Sequence, residues 1–389
     1  MVIEATANAV FVKEVQKLLG SGQVPRALEL LRAREPGNKD PEIALHLGLA
    51  LRMQRDFAGA LGAFDAALAL DPYHLLALLS KGAVLEMMGQ PRLAARTYRN
   101  ALKVAPPDAQ LLPSLRGAVD RARRAVAANN EALAQHLRAA VAPLRSQFSQ
   151  RELGRFDECL EIFAGLKKRH VHEPLLLDFP QLPAIPFFDR VHFPWLPELE
   201  AASEIIRQDA LALIKDDWER FHPYIQMPPG APVNQWEALN HSPSWSTLHM
   251  WRDGRRMDDV CMRCPRTVAI LDKLPLADQP GFAPTAMFSV LAPRTTIPPH
   301  TGSSNIRLIV HLPLILPGGC RFRVGNDVRE WRMGEAWVFD DTIEHEAWND
   351  SDQVRVILIF DVWNPLLSEA ERALVTAMMT ASNAYNAGK

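Results

Sequence analysis

The sequence predicts a two-domain α+β protein: an N-terminal helical solenoid followed by an antiparallel jelly-roll barrel. Three observations carry this. Positions in the first third of the chain match one another at a spacing of 34 residues. From about residue 245, short apolar segments alternate with Gly, Pro, Asn and Asp turns. The length, 389 residues, suits two domains.

The helical third comes first. Gly48 and Gly82, Leu51 and Leu85, Ala60 and Ala94, Phe64 and Tyr98, Ala67 and Ala101, and Pro72 and Pro106 each lie 34 residues apart. That period, with small residues in both helices, an aromatic in the second and a closing proline, is the pattern of tetratricopeptide (TPR) repeats. Gly48 and Ala60 let two antiparallel helices approach, Phe64 or Tyr98 fills the gap to the next pair, and the proline stops the helix. A weaker unit spans about 10–36, where Ala27, Leu28 and Leu31 follow Gly22 at helical spacing. Residues 108–145 read as one long helix rich in Ala, Leu and Arg that caps the open end of the stack. The repeat domain is therefore placed at 1–145. Such stacks usually offer a groove to a peptide or protein, and a partner of that kind is expected from the fold alone.

Residues 146–185 are expected to be a connector. Arg155–Leu160 adds a further helix, and the proline-dense run from Phe179 to Phe188 is an extended lead-in. The second domain then covers 186–389. Leu196 starts a helix expected to run through Ile214. Strands are expected at 245–250, 287–291, 306–316, 320–324, 329–332, 335–339 and 354–363. Strands at this spacing suggest a jelly roll.

Two histidines stand out on residue chemistry alone. His300 follows Pro298 and Pro299 and opens the loop Thr301-Gly302-Ser303-Ser304. His345 sits in an acidic segment just after the apolar stretch Ala336–Phe339. Neutral imidazole is the commonest metal ligand. Two such ligands beside barrel strands suit non-haem Fe(II), whose usual triad adds a carboxylate two residues after the first histidine. Here that position is Gly302. Three readings stay open at this point: a water completes the site, a halide does, or no metal is held. Arg355 interrupts a run of Val, Ile, Leu and Phe in a strand that should be buried. A buried guanidinium must be paired, and a carboxylate is its natural mate. The mate is either a dicarboxylic cosubstrate or an Asp or Glu of the protein. Leu308, Val310 and Ile357 are candidate walls of such a pocket.

Several motifs together resemble the aspartyl/asparaginyl β-hydroxylase family. They are Pro299-His300-Thr301-Gly302, the strand ending in His311, Gly319-Cys320, the segment from Phe339 to Asp350, and Arg355 leading to Phe360-Asp361-Val362-Trp363-Asn364-Pro365. Trp251-Arg252-Asp253-Gly254-Arg255-Arg256 resembles the start of that family's catalytic region. The resemblance covers roughly 190–366 and implies a double-stranded β-helix that uses Fe(II), 2-oxoglutarate and O2. Members of the family lack the carboxylate after the first histidine and use two histidines plus water, which would account for Gly302.

Residue by residue, the resemblance implies that His300 and His345 hold iron. Arg355 and Ser289 would bind one carboxylate of 2-oxoglutarate, and His311 and Trp245 would line its pocket. Asp341 would steer a metal-bound water, the alternative being a loop-capping Asp. Two departures matter. The well-studied animal members carry an arginine where this chain has Ile309, and they also have one at the position of Arg307. The second carboxylate of the cosubstrate is then left to iron and His311. Only Cys261 falls at a disulfide position of those members, and its partner position is Val268.

The implied reaction is hydroxylation of an Asp/Asn-type residue in a peptide or protein presented by the repeats. One alternative is the same chemistry on a small molecule, a carrier-bound amino acid or a lipid acyl chain. A second, motivated by Ile309, is an inactive repeat adaptor. Halogenation is a further option, because Gly302 leaves room for chloride.

Bulk properties bound the rest. A net charge of −2 argues against a generic nucleic-acid binder. Residues 1–145 nevertheless carry about six more basic than acidic side chains. No apolar run reaches the ~18–20 residues of a membrane span, and the N-terminus lacks the pattern of a secretory signal. Four cysteines make no disulfide framework, so Cys261 and Cys264 read as a surface redox pair or as two free thiols. The expected compartment is the cytoplasm.

Overall fold

A computed structural model describes residues 2–34, 37 and 39–386. The chain divides into two compact units, Met1–Lys168 and Arg169–Lys389.

The first unit is helical. Three antiparallel pairs follow one another: α1 (Val2–Gly20) with α2 (Val24–Arg34), α3 (Pro41–Met53) with α4 (Phe57–Leu70), and α5 (Leu75–Met87) with α6 (Pro91–Val104). This is the TPR-like arrangement that the 34-residue period predicts. Its cause is visible at the matched positions. A Cβ on Gly48 would fall inside the Phe64 ring, and one on Gly82 inside the Tyr98 ring. Each glycine therefore admits the aromatic of the partner helix, and both rings are buried. Asp40 and Asp56 cap α3 and α4 by accepting from the Glu42 and Gly59 backbone N–H groups. The long α7 (Pro113–Arg145) lays Val119 and Ala122 against Leu78, Leu85 and Tyr98, covering the last pair as expected. α8 (Gln150–Ala164) packs Leu160 and Ala164 against Ala134 of α7.

The expected connector, 146–185, does not behave as one element. Its first half belongs to the helical unit as α8, and its second half lies on the barrel. The reason is apolar content: Leu160 and Ala164 complete one core, whereas Leu177, Phe179 and Leu182 join another.

The second unit opens with α9 (Leu196–Ala201) and α10 (Ser203–Asp216), where one helix was expected. Ala202 breaks the run with φ −88° and ψ −1°, and α10 turns Ile206, Ala210 and Leu213 into the core. Eleven strands follow: β1 (His222–Pro223), β2 (Trp245–Arg252), β3 (Arg255–Arg256), β4 (Ala286–Leu291), β5 (Thr295–His300), β6 (Arg307–Ile315), β7 (Cys320–Val324), β8 (Asp327–Glu330), β9 (Trp337–Phe339), β10 (His345–Asn349) and β11 (Arg355–Trp363). Short helices α11 (Asp258–Cys261) and α12 (Pro265–Leu271) lie between β3 and β4, and α13 (Glu369–Asn386) follows β11. One sheet has the order β1-β2-β4-β11-β6-β9 with β3 beside β2, and the other has β5-β10-β7-β8. All named pairings are antiparallel.

Side-chain alternation divides β11 and β6 between two layers. Val356, Leu358, Phe360 and Val362, with Leu308, Val310 and Leu312, pack on α9, α10 and α12. The alternate residues Ile357 and Ile359 face the second sheet. Of the three walls proposed from sequence, Leu308 and Val310 therefore belong to the helix layer, and only Ile357 points between the sheets.

Cys261 and Cys264 are buried and free rather than on the surface. Burial raises both thiols, Cys264 to about 12, so neither offers a ready thiolate. No helix among the described residues is long and apolar enough to cross a membrane.

The repeat packing makes a paired prediction. Gly48→Ala should cost about 1–3 kcal/mol by overpacking Phe64. Gly62→Ala, on the same hairpin with nothing near the added methyl, should stabilise by about 0.4–1 kcal/mol. Urea unfolding followed by far-ultraviolet circular dichroism checks both signs.

Candidate active site

The two strands that bear the histidines pair directly. His300 ends β5, His345 begins β10, and the two are register partners. Their ring centroids lie 4.0 Å apart. His300 Nδ1–H donates to the Pro298 carbonyl at 2.7 Å, and His345 Nδ1–H donates to the Ile343 carbonyl at 3.1 Å. Each bond fixes the tautomer that leaves Nε2 free as a ligand atom. Burial lowers both imidazole pKa values, His345 well below the usual range, with His300 adding to it. Both rings are thus held neutral, the form that binds metals. No group of three His, Cys, Asp or Glu set to hold a metal occurs among the described residues.

Position 302 has no room for a side chain. A Cβ there would coincide with the carboxylate of Asp341, and Gly302 N–H donates to the Asp341 carbonyl at 2.6 Å. The Asp341 carboxylate thus occupies the room a side chain at 302 would need. Burial raises its pKa to about 8, with the neighbouring Asp340 charge adding to the rise. Loop capping falls to Asp340 instead, whose Oδ1 accepts from the Thr342 N–H at 3.0 Å and the Thr342 hydroxyl at 2.6 Å.

Arg355 is 1% exposed and has no carboxylate partner among the described residues. Its nearest polar contact is a long one, from a terminal nitrogen to Ser289 Oγ at 3.4 Å. The guanidinium stands 5.2 Å from the Trp331 ring, and its Nε is buried without a partner. Burial lowers its pKa to about 10. His311 Nδ1 is another buried atom without a partner; burial and then Arg355 keep that ring neutral. Ser289 also accepts from Trp245 Nε1 at 3.1 Å. A buried cation without a counter-charge is unfavourable by itself. These orphaned donors fit an acceptor-rich anion.

All seven side chains singled out from the sequence (Trp245, Ser289, His300, His311, Asp341, His345 and Arg355) line one cavity of about 460 Å³. Sequence reasoning missed other residues around it. Trp236 meets His300 edge-on at 5.0 Å, and Tyr224 lies 4.3 Å from Trp245. Both come from irregular segments that no periodicity locates. Arg307 and Asp361 form a buried pair at 3.2 Å in the same cavity. Strand period already puts Arg307, four residues before His311, on the inward face, and could have placed Asp361 there too, six residues after Arg355.

A segment expected to be linker braces the site. Glu173 N–H donates to the Thr342 carbonyl, Leu175 N–H to that of Gly302, and Leu176 and Leu177 N–H to that of Ser303. These bonds lash together the two loops that flank His300 and His345. His172 Nε2 lies 3.0 Å from the buried Asp340 Oδ2. This pair is held by charge rather than by a well-aligned hydrogen bond. Asn305 anchors the far end by accepting from Phe179 N–H at 2.7 Å and donating to the Phe179 carbonyl at 3.0 Å.

Known proteins match parts of the chain. The family model for aspartyl/asparaginyl beta-hydroxylase matches residues 200–365. The aspartyl/asparaginyl beta-hydroxylase of Homo sapiens is 37% identical over 144 residues, 36% of this chain and 19% of that protein. This chain thus spans about a fifth of the human protein's length. The ornithine lipid ester-linked acyl 2-hydroxylase of Rhizobium tropici is 33% identical over 202 residues, 51% of this chain and 67% of that protein. Among solved structures, the first TPR of Spaghetti (RPAP3), bound to an HSP90 peptide, is similar at 18% identity and a TM-score of 0.27. It covers 31% of this chain and 90% of its own.

The brace predicts a pH signature. Contact with Asp340 raises the His172 pKa above its usual value. The stabilisation is therefore complete below the unfolded value of about 6.5 and is lost as pH rises through the higher folded value. His172→Gln should lower the melting temperature by about 5 °C near pH ~6. The gap to wild type should narrow towards pH ~9; a gap that widens there would contradict the pairing.

Proposed function

Because this chain belongs to the aspartyl/asparaginyl β-hydroxylase family, we propose that it is an Fe(II)- and 2-oxoglutarate-dependent dioxygenase that hydroxylates an Asp/Asn-type residue of a peptide bound by its repeats. The observation that carries this is Arg355, a fully buried cation without a counter-ion among the described residues, in the same cavity as two neutral histidines. With Fe(II) on His300 and His345, 2-oxoglutarate and O2 become succinate and CO2 while one oxygen atom enters a substrate C–H bond.

The protein's part is positional. The Pro298 and Ile343 carbonyls aim both imidazoles. Arg355 and Ser289 take one carboxylate of the cosubstrate, and His311 offers the orphaned Nδ1 beside it. Trp245 fixes the Ser289 hydroxyl through its indole N–H. Trp236, Phe322 and Phe339 wall the cavity and exclude water. Asp341 places an acceptor beside Gly302, where it orders a water next to the two rings.

A peptide route is supported by the first unit. Leu49, Leu76, Leu79 and Ala83 line a groove with Arg52 and Arg121. Burial and then the Arg121 charge lower the Arg52 pKa. Neither arginine has an acidic partner among the described residues, so the groove suits an apolar peptide bearing a carboxylate. A second reading, the same chemistry on an acyl chain or a carrier-bound amino acid, draws on the apolar lining by Met287, Ile297, Ile309 and Ile359. It also draws on the activity named for the Rhizobium relative.

Anaerobic titration of the full chain with Fe(II) and 2-oxoglutarate, read by the visible charge-transfer absorption of the complex, tests the site. Wild type should develop the band and His345→Ala should lose it. Arg355→Ala should need about 100-fold more cosubstrate, as expected for a lost bidentate charge contact. Absence of the band in wild type, together with no succinate release, would overturn the reading.

A further inference from the structure

A buried guanidinium needs a partner even when its cavity is empty. Among the described residues no carboxylate supplies one to Arg355. Besides the long contact to Ser289 its partner is an aromatic face: the guanidinium carbon lies 5.2 Å from the Trp331 ring centroid. Arg256, Arg321, Arg329 and Arg372 also stand over rings, but none of them is buried. The first three reach a carboxylate as well, on Asp272, Asp350 and Asp327. Arg355 combines full burial with a ring in place of a counter-ion.

Trp331 is held as a fixed plate. It follows β8, is 4% exposed, and stacks on Trp337 of β9 at 5.5 Å and 14° and on Phe322 of β7 at 5.3 Å and 26°. Its own indole N–H is buried without a partner, which costs stability. Phenylalanine would stack without leaving that donor, so packing alone does not call for an indole at 331. Indole is, however, the best of the aromatic faces for a cation. A ring also attracts the charge without taking up its N–H donors, whereas an Asp or Glu partner would have to be displaced before an anion could bind.

We infer that Trp331 is a positioning residue for the anion end of the cavity: its ring holds the Arg355 guanidinium in place while the site is empty and leaves the N–H donors to the carboxylate that arrives. This rests on the hydroxylase reading, in which that carboxylate is the one of 2-oxoglutarate remote from the 2-oxo group, since the 2-oxo acid end is the one that chelates iron. Trp331 touches the cosubstrate only through Arg355, so its effect is confined to ligands that use Arg355.

The test uses the full chain with Fe(II) under anaerobic conditions and reads the dissociation constants of two acids from the charge-transfer band. The acids are 2-oxoglutarate and 2-oxopentanoate, which has the same chain length and lacks the remote carboxylate. Trp331→Leu should weaken 2-oxoglutarate by about 10-fold or more and leave 2-oxopentanoate unchanged. Trp331→Phe, which keeps a weaker ring face, should lose only about 3-fold on 2-oxoglutarate. In the Arg355→Ala background Trp331→Leu should have no further effect on 2-oxoglutarate, because the cation through which it acts is gone. Should Trp331→Leu fail to fold by far-ultraviolet circular dichroism, Trp331→Phe carries the same comparisons. Equal weakening of both acids, no weakening of 2-oxoglutarate, or the same loss with and without Arg355 overturns the role of Trp331 while the wild-type band leaves the hydroxylase reading standing. Absence of the band in wild type with 2-oxoglutarate overturns both.

Discussion

The architecture of the second unit depends on one constraint: β11 is buried on both faces and assigns its side chains to them by strict alternation. Even-numbered residues from Val356 to Val362 complete the packing against the helices. Odd-numbered residues from Arg355 to Asp361 enter the cavity side. A register shift of one residue would put Arg355 and Asp361 into an apolar layer and leave the cavity without its charges. Pairing on both edges, with β4 and β6, holds the register. The apolar energy of the core and the chemistry of the site are thus fixed by the same ladder.

How legible this was in the sequence varied with how local each cause is. The repeat pattern could be read because Gly48 and Phe64, or Gly82 and Tyr98, are packing partners within one hairpin. The strands with continuous apolar runs were equally plain. The strands β5 and β10, which bear the histidines, were not. β5 contains Pro298 and Pro299, tolerated because it is an edge strand, and β10 is short and mixed in polarity. α13 escaped notice because only Val375 and Met379 among its residues are buried. The seven site residues came together because a motif match names positions. Trp236, Tyr224 and Leu175 join the cavity through irregular backbone, which no period can locate.

The cavity also separates two electrostatic tasks. Low polarity around His300, His345 and His311 keeps three imidazoles neutral, while the same low polarity makes Arg355 a strong demand for an anion. At the other end Arg307 and Asp361 satisfy each other, so the field there is set by what remains. Burial raises Asp361 to about 6 despite Arg307 beside it. One barrel therefore holds an unmatched cation at one end and a self-satisfied ion pair at the other, with the uncharged Ile309 across from Asp361.

The brace formed by residues 172–179 has a consequence for where the functional unit begins. The family match starts at residue 200, yet the carbonyls of Gly302, Ser303 and Thr342 are bonded to backbone that lies more than twenty residues earlier. A fragment cut at the boundary of similarity would keep His300, His345 and Arg355 and still lose the cord that ties the histidine loops together. It would also expose buried Asp340 without its cation. The heritable unit of chemistry and the mechanical unit that supports it are, in this chain, of different lengths.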